Sequence, residues 1–105
     1  MANLEVVQGD TGYYLYFTVQ DAEGSAFDLT DYTITLKAWV QGDPDNNFIN
    51  GLCEIVNAVA GTCKYLVSGG DFSVSGNDNR GELEFTKSGV KESTQSFPIK
   101  IQESA

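Results

Sequence analysis

Apolar and polar residues alternate with a period of two along much of this chain. Segment 13–20, YYLYFTVQ, is the clearest case, because successive side chains of an extended strand point to opposite faces. The more apolar face carries Tyr13, Leu15, Phe17 and Val19. The other face carries Tyr14, Tyr16, Thr18 and Gln20. We expect the first set to lie in a core, which leaves Tyr14 and Tyr16 on the outside.

Segment 33–40, TITLKAWV, alternates in the same way. Ile34, Leu36, Ala38 and Val40 form its apolar face, so Trp39 is expected to point outward. Shorter strands are predicted at 4–8, 52–57, 62–67, 81–87 and 93–102, with a hairpin around 58–61. Segments 41–51 and 68–80 are rich in turn residues and are predicted as long loops. Pro98 has no N–H to donate, so the last strand is expected at an edge or near a bulge.

About seven short strands with turns between them are typical of a β-sandwich. We therefore predict an all-β fold: one domain over residues 1–105, formed by a single Ig-like antiparallel β-sandwich, with a small barrel as the second choice. No segment has a helical stripe. An antibody-type domain is disfavoured, because Trp39 shares its face with Thr35 and Lys37 instead of lying in the core.

The chain is strongly acidic, with fifteen Asp and Glu against six Lys and Arg and a formal net charge of -9. A protein that binds nucleic acid neutralises phosphates with cations, and this chain has few, so no nucleic acid is expected as a partner. An anionic membrane surface would repel it for the same reason. The start of the chain lacks the basic and apolar regions of a secretory signal, so synthesis in the cytoplasm without a signal peptide is expected.

Residues that could carry catalysis are few. The sequence has no histidine, which rules out a Ser-His-Asp or Cys-His arrangement within it. The acidic candidates for paired-carboxylate chemistry are Asp10, Asp71, Glu82 and Glu84, and in so acidic a chain solvated carboxylates are the simpler interpretation. Asp43, Asp45 and Asn47 have the spacing of calcium ligands but lack the rest of that pattern. We expect no enzyme, no catalytic residue, no cofactor, no metal and no small-molecule substrate.

Cys53 and Cys63 flank the predicted hairpin. If the hairpin centres on residue 58, the two cysteines lie directly opposite each other, at a separation slightly wider than an unstrained disulfide prefers. Two small buried thiols in a reducing compartment are the alternative, and it is slightly favoured.

Tyr14, Tyr16 and Trp39 are the candidate interface residues. Tyrosine and tryptophan are enriched at protein interfaces, because they combine a large contact area with a polar group. The same three rings would also serve as a stacking platform for sugars, which keeps a carbohydrate-binding or adhesin-like module open as an alternative.

The segment 8–38 combines QGDT at 8–11, an alternating strand, a turn with Asp21 and Gly24, DLT at 28–30 and a second alternating strand. GELEF at 81–85 and a closing strand with Phe97-Pro98 follow in the same order. This layout resembles the N-terminal domain family of tailed-phage baseplate upper proteins, and small Ig-like phage tail proteins. The resemblance implies a β-sandwich that serves as an assembly module in the virion and carries no catalytic residues.

The function expected from this resemblance is that of a bacteriophage structural protein of the tail, baseplate or fibre-attachment region. Its partners would be other virion proteins, in a multi-copy assembly or a homo-oligomer. A capsid decoration protein is a second structural alternative.

Overall fold

The computed structural model of the chain describes residues 4–73, 76–94 and 96–103, with the side chain of residue 77 excepted. It is all-β, which confirms the predicted fold class, but it has nine strands instead of about seven. The strands are β1 Leu4–Val7, β2 Tyr14–Thr18, β3 Thr33–Val40, β4 Asn47–Leu52, β5 Glu54–Asn57, β6 Thr62–Leu66, β7 Gly76–Lys87, β8 Val90–Ser93 and β9 Phe97–Gln102.

The strands form two sheets that enclose the core. The larger sheet has the order β1-β9-β7-β3-β4, with β8 also paired to β7, and the smaller has the order β2-β6-β5. Strand β1 pairs with β9 in parallel, so the expectation of purely antiparallel pairing is wrong for this pair. The predicted hairpin is confirmed, because β5 and β6 pair antiparallel on either side of residues 58–61.

The two additional strands lie in segments whose hydrophobic pattern is weak. Strand β4 occupies the second half of the predicted loop 41–51. Its sequence does not indicate a strand, because its polar residues face outward and only Ile49 is fully buried. Strand β8 has four exposed residues and therefore no apolar face to recognise. Strand β8 forms through backbone pairing with β7, whereas β4 pairs with β3 and also places Ile49 in the core.

Strands β8 and β9 lie along the same side of β7 as two parts of one interrupted strand. Glu84 pairs with Ser93 and Gly81 with Phe97, so three steps along β7 correspond to four along the opposing chain. The pairing of β7 with β9 also shifts register between Gly76 and Asn79, which pair with Ile101 and Ile99, and this confirms an irregularity near Pro98. The expectation of an edge is wrong, because β9 lies between β1 and β7.

The core forms between the inward faces of the two sheets. Leu15, Phe17 and Val19 are buried as predicted, and the rings of Phe17 and Phe97 lie 6.1 Å apart across the two sheets. Tyr13 is only half-buried. Val40 was expected inside but is 53% exposed, because it lies beyond the register shift that follows Ala38 and has no partner on β4.

Candidate interaction surface

Tyr14 and Tyr16 lie on the outward face of β2, where the alternating pattern places them. Their side chains are 40% and 68% exposed. The two ring centroids are 6.3 Å apart and the ring planes are tilted by 53°. The neighbouring inward residues Leu15 and Phe17 are buried, so the tyrosines are held outward by a strand that is anchored in the core.

Strand β6 completes this surface beside β2. Lys64 lies opposite Tyr16 and Leu66 lies opposite Tyr14 in the strand register, and Leu66 is 46% exposed. The ammonium group of Lys64 lies 4.1 Å from the centroid of the Tyr14 ring and 3.9 Å from Oε2 of Glu54. We call Tyr14, Tyr16, Lys64 and Leu66 the tyrosine face. The tyrosine face combines exposed apolar area with one cation, the Lys64 ammonium group, which lies beside the Tyr14 ring and the Glu54 carboxylate.

Trp39 lies on the other side of the sandwich. It is half-buried on the outward face of β3, next to the fully buried Ala38, and pairs with Arg80 of β7 and Asn47 of β4. Because β2 and β3 belong to different sheets with the core between them, Trp39 faces away from the tyrosine face. The structure therefore does not bring the three candidate aromatic residues together into one patch.

Two of the four candidate carboxylates, Asp71 and Glu84, are engaged in local contacts. The Tyr65 hydroxyl donates to Oδ2 of Asp71 at 2.7 Å, and the Ser68 N–H donates to the same oxygen at 2.8 Å. Burial and this hydrogen bond raise the pKa of Tyr65. Asp71 thus fixes the chain as it leaves β6. Asp10 is exposed in the turn before β2.

Glu84 connects three strands of the larger sheet. Its Oε2 accepts a hydrogen bond from Nζ of Lys37 on β3 at 2.9 Å and lies 3.6 Å from Nζ of Lys91 on β8. The hydrogen bond from Lys37, supported by the charges of both lysines, holds the pKa of Glu84 below its ordinary value. This is the chemistry of an ion-pair network and not of a general acid. Within residues 4–73, 76–94 and 96–103, no three potential metal-binding side chains cluster.

The two cysteines carry free thiols in the structure. Cys63 is fully buried and lies opposite Ile55 on one side and Phe17 on the other, so the expected direct opposition to Cys53 is wrong. Cys53 lies between β4 and β5, where its N–H donates to the carbonyl of Ile34. Interaction with the Cys63 thiol and burial raise the pKa of the Cys53 thiol. A disulfide between them stays a prediction.

A groove of about 460 Å³ lies at the end of β2. It is lined by Thr18, Val19, Gln20, Asp21, Ala22, Ser93 and Thr94. The sequence does not indicate this groove, because it forms only where the ends of β2 and β8 meet in the folded chain. The part of the chain that the structure describes contains no helix with the length and apolarity needed to cross a bilayer.

A sequence model described as the BppU N-terminal domain matches residues 2–105. The chain belongs to this family. The resemblance to the N-terminal domain of the phage baseplate upper protein is thereby confirmed over almost the whole length. No curated protein matches the chain. Membership makes this a structural domain related to the phage baseplate, and it implies a location in the virion.

Proposed function

We propose that this domain is a tail, baseplate or fibre-attachment component that acts through protein–protein contacts. The tyrosine face is the observation that carries the proposal. It presents two outward tyrosines and Leu66 on the outer surface of the smaller sheet, where a folded partner can reach them. Tyrosine is enriched in interface cores, and exposed aromatic and aliphatic area of this kind is typical of them.

Family membership supports other virion proteins as the partners. Virion components assemble in many copies, and a repeated weak contact gains strength because neighbouring copies raise the effective concentration. The tyrosine face offers three exposed aromatic or aliphatic side chains, which suits such a contact. We infer a multi-copy arrangement or a homo-oligomer on this basis, with Trp39 available as a second contact on the opposite side of the sandwich.

The strand order supports the Ig-like part of the fold prediction. In an immunoglobulin domain with strands A to G, strands B, E and D pair in that order in one sheet. Strands C, F and G pair in that order in the other sheet. The order β2-β6-β5 facing β4-β3-β7-β9 has this arrangement once β4 is counted as an inserted edge strand. We infer that this is one Ig-like domain.

The geometry bears on the two alternatives, a capsid decoration protein and a carbohydrate-binding module, in different ways. A decoration protein of the capsid would use the same surface, so location in the particle separates it from a tail component. A sugar platform would need its rings side by side, whereas Trp39 lies on the opposite face and the two tyrosine rings are tilted by 53°. The placement of the rings favours contacts with proteins.

Immunogold electron microscopy of virions with an antibody against this chain tests the proposal. We expect label at the distal end of the tail, in intact or in detergent-treated particles. Label on the capsid would replace the proposal with a decoration protein, and virions without any label would contradict it. A glycan array provides the second arm: binding that is lost in Tyr16→Ala would favour the carbohydrate alternative.

A further inference from the structure

Strand β2 has one unpaired edge. It pairs with β6 alone, and the backbone hydrogen bonds Val67 N–H to Tyr13 carbonyl and Val19 N–H to Gly61 carbonyl show which residues face β6. In an antiparallel pair these positions alternate, so the backbone groups of Tyr14, Tyr16 and Thr18 point away from β6. Among the residues that the structure describes, none of these groups has a hydrogen-bond partner.

The sequence of β2 does nothing to protect this edge. Natural edge strands are shortened, bulged, or supplied with charged residues or proline, since an open edge invites pairing with other chains. Segment 13–20 has no charged residue, proline or glycine, and β2 keeps an unbroken register with β6. An unprotected edge of this kind is expected to be covered in the assembled state.

The other edges of the two sheets, formed by β5, β4, β1 and β8, are protected in the described part of the chain. Strand β8 has four exposed residues, among them Lys91 and Glu92. Strand β5 has a register shift at Val56 and carries Glu54. Strand β4 is shifted where it pairs with Trp39. Strand β1 has four residues, one of which is Glu5. The contrast singles out β2 as the edge at which pairing meets the least resistance.

We propose that β2 receives an additional strand from another virion protein, by backbone pairing at Tyr14, Tyr16 and Thr18. This proposal rests on the proposed function and specifies how one contact is made. Added strands gain affinity from main-chain hydrogen bonds and specificity from alternate side chains. The two tyrosines would then pack against alternate side chains of the incoming strand, on the face where they are exposed.

The charges around the edge identify the chemistry of the incoming segment. Asp10 precedes β2, and Asp21 and Glu23 follow it, so both ends of the edge are acidic. A second copy of β2 paired antiparallel about Tyr16 would bring Asp10 of one chain beside Asp21 of the other, and two chains of net charge -9 would meet. The segment that fits has β-branched or small residues in its middle and lysine or arginine at its ends, with one end in the groove beside Asp21.

The test uses two fluorescein-labelled peptides of alternating valine and threonine, one with lysine at both ends and one with glutamate. Their binding to the full chain is measured by fluorescence anisotropy. We expect the lysine-ended peptide to bind. The glutamate-ended peptide should bind more weakly by a factor of at least about ten. Absence of binding by the lysine-ended peptide, or equal binding of the two, would overturn the proposal.

Thr18→Pro and Thr18→Ala form the matched pair of variants. Proline removes the N–H at the open edge without removing a bond to β6, whereas alanine keeps that N–H. We expect Thr18→Ala to bind within about twofold of the wild-type chain and Thr18→Pro about tenfold more weakly. If Thr18→Pro does not fold, amide hydrogen exchange on the wild-type chain decides: the peptide should protect the amides of Tyr14, Tyr16 and Thr18, and exchange that stays unchanged contradicts strand addition.

The outcomes keep the two proposals apart. Tail labelling in virions together with full peptide binding by Thr18→Pro would retain the virion role and remove strand addition. Label on the capsid with edge-dependent binding would remove the tail role and retain strand addition. Sedimentation of the chain alone tests the occupant: a dimer that is lost in Thr18→Pro but kept in Thr18→Ala would show that a second copy, and not a partner protein, covers the edge.

Discussion

At the scale of single residues, close approach of the two sheets decides what several positions tolerate. A Cβ atom added to Gly51 would lie 2.7 Å from Cε1 of Tyr65, which is closer than carbon atoms can approach. Gly51 on β4 therefore gives the Tyr65 ring the space from which its hydroxyl reaches Asp71. The sequence indicated neither feature. Gly51 lies in a segment that was predicted as a loop, and Asp71 is one of many carboxylates in an acidic chain.

Gly51→Ala is expected to destabilise the fold by about 1–3 kcal/mol, because the Tyr65 ring must move away from the added methyl group. Urea unfolding measures the change in the free energy of unfolding. Asn50→Ala is the control on the same strand, since residue 50 is exposed, and it should change that free energy by less than about 0.5 kcal/mol. Equal effects of the two variants would contradict the close packing of Gly51 on Tyr65.

Tyr65→Phe tests the hydrogen bond to Asp71 directly. Loss of the hydroxyl leaves Oδ2 of Asp71 with the Ser68 N–H as its partner, and we expect a loss of about 1–2 kcal/mol. The exposed Tyr16→Phe provides the comparison for removal of a tyrosine hydroxyl. A result for Tyr65→Phe as small as that for Tyr16→Phe would show that the hydrogen bond adds no net stability.

At the scale of elements, the interruption between β8 and β9 depends on one side chain. The Leu83 N–H donates to the Thr94 hydroxyl at 3.0 Å, and the Thr94 N–H donates to the Leu83 carbonyl at 2.9 Å. The hydroxyl thus replaces the carbonyl that a regular ladder would supply. Without it, a buried backbone donor on β7 would have no acceptor, because Leu83 is fully buried.

Thr94→Val keeps the shape of the side chain and removes the acceptor, so we expect it to destabilise the fold by about 1–3 kcal/mol. Thr94→Ser keeps the hydroxyl and should recover most of that loss. Both values follow from chemical unfolding of the purified variants. Valine and serine variants of equal stability would contradict a structural role for the hydroxyl.

The ion pairs of Glu84 make the joining of β3, β7 and β8 dependent on pH. A carboxyl group with a lowered pKa stabilises the fold above its ordinary pKa, and this contribution is lost as the pH falls through the lowered value. The difference in stability between the wild-type chain and Glu84→Gln should therefore be larger near pH 6 than near pH 3. Urea midpoints at both pH values measure it.

Glu82→Gln is the control for that measurement. Glu82 lies on the same strand and forms no ion pair in the described part of the chain. Its difference from the wild-type chain should depend less on pH than that of Glu84→Gln. A Glu84→Gln difference that is the same at both pH values would contradict the network.

At the scale of the whole molecule, both sheets contribute to one cluster of buried residues, so we expect the chain to unfold as a single unit. Trp39 is the only tryptophan and reports on the larger sheet. Its fluorescence and the circular dichroism of both sheets should show the same urea midpoint. Separate transitions would contradict the prediction of one domain over residues 1–105.

The sequence alone determined which residues of the clearest strands lie inside. Burial of Leu15, Phe17, Leu36 and Leu83 follows from a period of two, because neighbouring side chains of a strand point to opposite faces whatever the strand pairs with. The short motifs along the chain were likewise enough to identify the family, since they record local turn and strand chemistry.

Only the tertiary structure decided what pairs with what. Strands β4 and β8 form because a neighbouring strand supplies hydrogen-bond partners for their backbones. The polar residues of these two segments do not indicate such pairing. The sheet to which each strand belongs set Trp39 apart from the tyrosines and left one edge of β2 open. Pairing joins residues that are distant in sequence through main-chain groups common to all of them, so the pattern of side chains along the chain carries little record of it.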